Sequence, residues 1–407
     1  MKKFEIPPFY RGKIISKIKE AKRSGDPHKK DFTPTVLDFG PVRFLIPRHF
    51  GFCYGVENAI EIAYKTINEN RNKRIFLLSE MIHNPGVNQD LKNKGVKFIM
   101  DTSGNQLINW NELNHEDVII IPAFGTTLEI EKKLNEIGIN PYKYNTTCPF
   151  VEKVWNRSEQ LGKDKYTVVI HGKHNHEETR ATFSHTIKNS PSVIVKNLQE
   201  AKTLGSIILN EDEDRFFDFF KHRYYEKFNF KDDLKRIGVV NQTTMLATET
   251  QAIAEFLKNI MIKKYGIENL SEHFADTRDT LCYATYDNQE STIKVLEEDA
   301  DLAIVVGGYN SSNTSHIVEL CEEKYSTYFI SSPDKIIDRN LIQHFDIGSR
   351  KELSSKNFIP EKDSTNIILT SGASCPDSVV EEVMLKILSL FNNVNSIDEV
   401  VNQHVHV

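Results

Sequence analysis

The feature that most constrains the fold is a series of short apolar runs that alternate with segments of helical periodicity. The runs are rich in Val and Ile, which is typical of strands buried on both faces of a parallel sheet. They cover residues 42–46, 74–78, 96–100, 118–124, 167–170, 192–195, 237–240, 302–306, 328–331 and 366–370. One such run alone is also compatible with a buried helix, but the whole alternating set predicts an α/β protein with parallel sheets.

The length of 407 residues suggests two or three domains at about 150 residues each. Changes in composition divide the chain into an N-terminal extension at 1–41, three α/β units at 42–147, 148–281 and 282–392, and a peripheral tail at 393–407. We expect the polar extension to pack outside the core. The second unit carries a charged and aromatic insertion at about 208–236, which we predict to be helical, to lie against the surface and to have no chemical role.

Charge and hydropathy exclude several classes of protein. The 51 basic and 57 acidic residues give a net charge of −6, which disfavours nucleic-acid binding through a basic surface. No apolar stretch of membrane-spanning length occurs, and the first residues resemble neither a secretory signal nor a transit peptide. We therefore expect a cytoplasmic protein that partners neither membrane nor nucleic acid. Five cysteines without a CxxC pair argue against a disulfide framework and a zinc ribbon.

Three of the cysteines share one local context. Cys53, Cys148 and Cys282 each open a segment of helical periodicity. The positive end of a helix lowers the pKa of a thiol, and a thiolate is what a metal binds. If three units shared a common axis, these thiolates would meet at one metal centre and leave one coordination position open. The alternative is that they pack as small apolar side chains. Cys321 lies within a helical pattern, and Cys375 is a weaker fourth candidate.

Polar loops follow the ends of five predicted strands, where open α/β sheets bind their ligands. Hydroxyls, amides, histidines and helix N-termini together suit a diphosphate, although any single loop of this kind is also a normal helix cap. The loops are His83-Asn84-Pro85-Gly86, residues 171–178, Asn241-Gln242-Thr243-Thr244, residues 310–315 and Ser371-Gly372-Ala373-Ser374.

Other motifs of known chemistry do not match. No phosphate-binding P-loop and no dinucleotide-binding glycine pattern occur. The sequence from His176 lacks the second histidine of HExxH, because Arg180 stands in its place, and no PCxxC follows to complete a zinc deaminase. His171, His174 and His176 remain an alternative metal site of their own.

Eight segments, in order, resemble the motifs of the 4-hydroxy-3-methylbut-2-enyl diphosphate reductase family over about residues 42–390. The insertion before NQTTM and the segment NSSNTSH are more similar to the plant and cyanobacterial branch. The segments are HFGFCYGV, HNPGVNQ, TTCPFV, HGKHNHEET, NQTTM, LCYATYDNQE, VVGGYNSSNTS and SGASCPD.

The resemblance implies a fold of three pseudo-symmetric α/β units around a central [4Fe–4S] cluster, one per subunit. Cys53, Cys148 and Cys282 match the family's three cluster ligands, and the fourth iron binds the substrate's hydroxyl oxygen. The implied reaction is the reductive dehydroxylation of (E)-4-hydroxy-3-methylbut-2-enyl diphosphate to isopentenyl and dimethylallyl diphosphate, the last step of the methylerythritol phosphate pathway. An external donor of the ferredoxin or flavodoxin type supplies electrons.

The resemblance also assigns roles to individual residues. Glu178 matches the proton-delivering glutamate, Thr243 its hydroxyl partner beside the substrate, and Thr244 a support. The residues that match the family's diphosphate ligands are His83, His176, Ser311, Ser312, Asn313 and Ser374. One departure is Phe124, which replaces a histidine of many members and cannot donate a hydrogen bond to phosphate; Thr126 or Thr127 is expected to compensate.

Two alternatives come from other functional classes. A non-catalytic protein that holds zinc through the three cysteines accounts for the thiols. A module that binds a phosphate ligand without redox chemistry accounts for the polar loops. Iron content after anaerobic purification, and the effect of cysteine replacement on diphosphate affinity, discriminate among these hypotheses.

Overall fold

The computed structural model describes residues 4–276 and 280–405, which divide into two compact units. Unit 1 comprises Met1–Glu57, His83–Gln89 and Tyr283–Val407. Unit 2 comprises Asn58–Ile82 and Asp90–Cys282. In the described part of the chain, every helix falls short of the length and apolarity needed to cross a membrane.

Strands and helices alternate along most of the chain. The strands are β1 (Thr35–Asp38), β2 (Val42–Ile46), β3 (Ile75–Leu77), β4 (Lys97–Phe98), β5 (Val118–Ile120), β6 (Thr167–His171), β7 (Ser192–Val195), β8 (Ile237–Asn241), β9 (Phe274–Ala275), β10 (Leu302–Val306), β11 (Thr327–Ile330), β12 (Leu341–Asp346), β13 (Lys351–Lys356) and β14 (Thr365–Ser371). The helices are α1 (Lys13–Gly25), α2 (Tyr54–Glu69), α3 (Pro85–Asn93), α4 (Leu128–Ile137), α5 (Pro149–Lys163), α6 (Glu177–Thr186), α7 (Leu198–Asn210), α8 (Glu213–Phe219), α9 (Phe230–Asp233), α10 (Ala247–Tyr265), α11 (Leu270–His273), α12 (Tyr283–Val295), α13 (Ser312–Glu322), α14 (Asp377–Leu388) and α15 (Ile397–Val405).

Unit 1 is built on a sheet of strand order β1-β2-β14-β10-β11. Its strands are parallel except for β1, which pairs antiparallel with β2 at the edge. The central strand residues are fully buried, as the Val- and Ile-rich runs predicted. The pairing places β2 beside β14, whereas the predicted boundaries grouped residues 42–46 with the unit that continues to residue 147. Strand β14 follows β2 by more than 300 residues, so no local sequence pattern indicates that the two strands pair.

Unit 2 contains two parallel sheets, one of order β4-β3-β5 and one of order β7-β6-β8-β9. In the second sheet β6 and β8 are neighbours, with His171 opposite Asn241 at their carboxyl ends. Each of the ten predicted apolar runs overlaps a strand of one of the three parallel sheets. The predicted α/β class with parallel sheets is therefore confirmed.

The N-terminal extension and the tail differ from the expectation that they lie outside the core. Ile15 and Ile18 of α1 are 0% and 3% exposed, and they join the main hydrophobic cluster of unit 1. Val400 of α15 is in the same cluster. The Glu381 carboxylate accepts hydrogen bonds from the backbone N–H groups at the start of α1, which fixes this helix against α14. Helices α1 and α15 are thus integral to unit 1.

The segment 208–236 is helical only in part, at the end of α7 and in α8 and α9, and several of its aromatic side chains are buried, although Phe219 is 38% exposed. Phe216 and Phe220 of the α8 region are fully buried in the main hydrophobic cluster of unit 2. The Phe216 ring also contacts the Phe228 and Phe230 rings. The charged residues between them face outward, which is why the segment has a polar composition. The hairpin of β12 and β13 was not predicted, because its residues are mostly polar and partly exposed.

Candidate active site

The predicted acid, Glu178, is buried beside Thr243 in unit 2. Glu178 lies in the first turn of α6 and is 1% exposed. Its Oε2 accepts a hydrogen bond of 3.0 Å from the Thr243 hydroxyl, and its Oε1 accepts one from the Thr243 backbone N–H. Thr243 follows β8, and α6 follows the neighbouring strand β6. Because parallel neighbours end at the same edge of a sheet, the fold brings the two residues together.

Gln242 connects the loops that carry these two residues, and sequence reasoning gave it no separate role. Its Oε1 accepts hydrogen bonds from the Thr179 hydroxyl at 2.9 Å and from the Lys173 backbone N–H at 3.2 Å. Its Nε2 donates to the Thr244 hydroxyl at 2.6 Å. Thr244, predicted as a support, is therefore linked to α6 through the Gln242 amide. The sequence feature that could have indicated this role is the position of Gln242 directly after the end of a strand.

His176 caps the N-terminus of α6. Its Nδ1 accepts a hydrogen bond of 3.2 Å from the Glu178 backbone N–H, so in the neutral ring the proton is on Nε2. The Phe124 ring meets the His176 ring edge-on, with centroids 5.6 Å apart. Thr127, one of the two residues expected to compensate for Phe124, caps α4 by accepting a hydrogen bond from the Ile130 backbone N–H. His176 is thereby placed at the N-terminus of α6, where an anionic ligand is favoured.

Unit 1 gathers a second group of predicted residues. The Ser374 hydroxyl donates to the His83 carbonyl at 3.2 Å and lies 3.4 Å from the Ser311 hydroxyl. Ser311 caps α13 and accepts hydrogen bonds from the Thr314 backbone N–H and hydroxyl. His83, Ser311 and Ser374 are each less than a tenth exposed. The loops after β10 and β14 therefore converge with His83 at the N-terminus of one helix.

Two donors at this helix terminus are buried with unused capacity. The Asn313 Oδ1 accepts a hydrogen bond of 2.8 Å from the Ala373 backbone N–H. Its Nδ2 and the Ser312 hydroxyl have no hydrogen-bond partner among the residues that the structure describes, although both residues are at most 4% exposed. Buried donors without partners are costly, and the positive end of a helix favours anions. The arrangement suits a phosphate group.

Each of the three candidate cysteines directly precedes a helix, as predicted. Cys53 precedes α2, and its backbone N–H donates to the Ala373 carbonyl at 3.2 Å. Cys148 caps α5, and its N–H donates to the Ala123 carbonyl at 2.9 Å. Cys282 precedes α12 and is 8% exposed. Because the positive end of a helix favours a thiolate, each of the three residues by itself suits a soft metal ligand.

The other two cysteines are different. Cys321 and Cys375 are 0% and 1% exposed, within the hydrophobic clusters of unit 1. Burial raises the pKa of Cys321 to about 12, and it also raises the pKa of Cys375. Both are therefore neutral thiols that pack as apolar side chains, and the structure does not support Cys375 as a fourth ligand.

No group of three or more His, Cys, Asp or Glu side chains arranged to hold a metal ion is found within residues 4–276 and 280–405. This applies to the three candidate cysteines together and to the alternative site of His171, His174 and His176. His171 is fully buried, with its Nδ1 2.9 Å from the Thr250 hydroxyl, whereas His174 is exposed and His176 caps a helix. These three rings do not face one point.

Comparisons with known proteins agree with the predicted resemblance. A model of the family described as LytB protein matches residues 44–388. A 4-hydroxy-3-methylbut-2-enyl diphosphate reductase of Prochlorococcus marinus (strain AS9601) is 38% identical, over 92% of this chain and 94% of the relative. One of Cyanothece sp. (strain PCC 7425 / ATCC 29141) is 40% identical, over 86% of this chain and 85% of the relative.

Among solved structures, the E-1-hydroxy-2-methyl-but-2-enyl-4-diphosphate reductase from Plasmodium falciparum has the same fold. Its TM-score is 0.61 at 22% identity, and the match covers 86% of this chain and 87% of that one. The predicted similarity to cyanobacterial sequences is confirmed by the two relatives above. Because the family model spans most of the chain and these relatives cover nearly all of it, the chain belongs to the LytB protein family.

Proposed function

We propose that this chain is a 4-hydroxy-3-methylbut-2-enyl diphosphate reductase. It converts (E)-4-hydroxy-3-methylbut-2-enyl diphosphate, two electrons and two protons into water and isopentenyl or dimethylallyl diphosphate. This is the last step of the methylerythritol phosphate pathway. Support comes from the names of the relatives and, above all, from the buried pair of Glu178 and Thr243. A buried carboxyl group held in one orientation by a single residue, at the edge where a sheet binds ligands, is placed for proton transfer to a ligand.

The diphosphate is bound mainly by neutral donors. The Asn313 Nδ2 and the Ser312 hydroxyl, which lack protein partners among the described residues, would each gain a phosphate oxygen as acceptor. Ser311, Ser374 and His83 lie at the same helix terminus. Hydrogen bonds to a charged acceptor are stronger than those between neutral groups, so this set offsets the desolvation of the anion without a lysine or arginine.

We infer that Cys53, Cys148 and Cys282 hold a [4Fe–4S] cluster, one per subunit. The inference rests on the thiolate-stabilising helix entrance that the three share and on the family's chemistry. When bound, the cluster would pass electrons singly and offer a Lewis-acidic iron to the substrate's hydroxyl oxygen. An external donor of the ferredoxin or flavodoxin type would supply those electrons.

The chain's own residues orient the substrate and move a proton. Glu178 carries a proton to the departing hydroxyl oxygen, so that the oxygen leaves as water. Thr243 holds the carboxyl through its backbone N–H and hydroxyl, which fixes the direction of transfer. His176 donates from Nε2 toward the anionic end of the substrate, since its Nδ1 is occupied by the backbone N–H of Glu178. Holding the reacting groups in a fixed orientation provides most of the rate enhancement of such a site.

The test is an anaerobic assay of the purified chain with the hydroxylated C5 diphosphate and an artificial reductant. We expect a brown protein with about four irons and four sulfides per chain and both C5 diphosphate products. Replacement of Cys53, Cys148 or Cys282 by Ser should remove iron, while Cys321→Ala, at a buried core position, should retain it.

Two results would contradict the proposal. A colourless protein that contains zinc favours the non-catalytic metal protein. A wild-type protein without reductase activity, whose diphosphate affinity is unchanged by replacement of the three cysteines, favours the phosphate-binding module.

A further inference from the structure

The N-terminal residues 4–10 pack on the two residues that flank Cys53. The Phe4 ring meets the Tyr54 ring edge-on, with centroids 4.9 Å apart. The Tyr10 ring meets the Phe52 ring with centroids 5.7 Å apart. Phe4 and Tyr10 are 5% and 4% exposed, although they lie at the very start of the described chain. One aromatic contact therefore holds the residue before the thiol and another the residue after it, while both residues and Cys53 stay partly exposed.

Arg11 fastens this segment to the first turn of α2. Its Nη2 donates to the Phe4 carbonyl at 3.2 Å and lies 3.7 Å from the Glu57 carboxylate. The Glu57 backbone N–H in turn donates to the Cys53 carbonyl at 3.0 Å. An ion pair this exposed contributes little energy by itself. Its role is to keep the segment in register with the turn that Cys53 opens.

The loop that leads into Cys53 is also held from its other side. Lys19 of α1 donates to the Phe50 carbonyl at 2.7 Å and to the Asp377 carboxylate at 2.6 Å. The Cys53 backbone N–H donates to the Ala373 carbonyl. The thiol therefore sits in a loop that is fixed at its backbone, at both flanks and at the following turn. Such fixation is what a preorganised metal ligand requires.

We propose that residues 4–11, here called the strap, hold Cys53, which itself stays partly exposed, in the orientation of a metal ligand, with Phe4 and Tyr10 as positioning residues. The proposal rests on the proposed function in one respect, namely that Cys53 binds iron. The groups around a metal ligand fix its orientation, and this orientation affects metal affinity. A thiol held in place by the strap would therefore retain a bound cluster longer in air than one on a loosened loop.

The first test uses the iron-free protein and measures the alkylation rate of each cysteine by mass spectrometry. Phe4→Ala and Tyr10→Ala should raise the rate at Cys53 by about tenfold, because the loosened loop exposes a thiol that is only partly accessible in the intact protein. Cys148 of the same molecule should keep its rate. Ile337→Ala is the control, because it truncates an apolar side chain of the same unit that is 45% exposed.

Cys321 reports on folding in this experiment, because it is fully buried in unit 1. If an alanine variant also exposes Cys321 to alkylation, the fold has been lost and Phe4→Leu decides instead. Leucine keeps an apolar cover and loses the ring contact, so the expected increase at Cys53 is about threefold. An unchanged rate at Cys53 in the folded variants overturns the proposal.

The second test uses the cluster-loaded protein and follows the loss of the cluster's visible absorbance in air. Phe4→Ala and Tyr10→Ala should bleach faster than the wild type, while Ile337→Ala should not. If the wild type never binds iron, the proposed function fails, whatever the alkylation rates. If the wild type binds iron and the variants bleach at its rate, the strap proposal alone fails.

Discussion

The Glu178 carboxylate and the Thr243 hydroxyl form a buried hydrogen bond of 3.0 Å, and the Thr243 backbone N–H donates to the other carboxylate oxygen. One residue thus fixes both oxygens of the carboxyl group and, with them, the plane of the group. The pair lies where β6 and β8 end side by side. A fixed carboxyl plane at a sheet's ligand-binding edge gives Glu178 a defined direction in which to deliver a proton.

Glu178→Gln should reduce turnover by about 10²–10⁴-fold and leave the iron content unchanged. Glutamine preserves the size of the side chain but cannot act as an acid. Steady-state anaerobic turnover, together with iron counting, measures both effects. Glu136→Gln, an exposed change on α4, is the control and should retain full activity. Turnover near the wild-type value in Glu178→Gln would mean that another group supplies the proton.

Asn313→Asp should raise the KM for the diphosphate substrate by about 10²-fold, because juxtaposed like charges cost several kcal/mol. Aspartate keeps the acceptor that binds the Ala373 backbone N–H and replaces the unsatisfied Nδ2 donor with a negative oxygen. Anaerobic kinetics separate KM from kcat. Asn210→Asp makes the same chemical change at an exposed helix position and should have no effect. An unaltered KM would remove Asn313 from the phosphate site.

The strands could be predicted from the sequence because burial on both faces leaves a continuous apolar run. The same logic failed for α1, where Ile15 and Ile18 are the buried positions of a helix otherwise rich in Lys, Arg and Glu. Its anchor, Glu381, lies about 366 residues away and belongs to another helix. No local pattern reports such a partner.

The candidate site could likewise be predicted only where a local sequence pattern reports on the structure. Polar residues after strand ends could be identified because parallel strands present their carboxyl ends together, as His171 and Asn241 do. The separate role of Gln242 could not, because it depends on the positions of Thr179 and Lys173 in two other loops. From the sequence alone, Gln242 cannot be distinguished from any other polar loop residue.

Gly308→Ala should weaken substrate binding and destabilise the fold by about 1–3 kcal/mol. A Cβ at this position would collide with the His83 carbonyl oxygen, which is backbone and cannot rotate away. The His83 carbonyl also accepts the Ser374 hydroxyl, so the collision displaces the phosphate loops. Urea unfolding and KM measure the two effects. Gly348→Ala is the control, because its nearest neighbour would be 3.6 Å away. Equal effects of the two substitutions would refute the close-packing argument.

His49→Gln should make the protein more resistant to acid. Burial lowers the pKa of His49 to about 4, and the nearby positive charges of Arg48, Lys29 and Lys19 act in the same direction. In the unfolded chain the pKa is about 6.5, so the unfolded state binds the proton first as the pH falls. The neutral imidazole therefore contributes stability that is complete above about pH 6.5 and is lost as the pH falls toward 4. The loss amounts to roughly 2 kcal/mol.

The measurement is the urea unfolding midpoint at pH 7 and at pH 4.5. Between these values the wild type should lose more stability than His49→Gln, because glutamine takes up no proton in either state. Other buried histidines contribute equally to both proteins and cancel in the comparison. His174→Gln, at an exposed position, should follow the wild type. The same acid-induced loss in His49→Gln and the wild type would show that His49 is protonated as readily in the folded protein as in the unfolded chain.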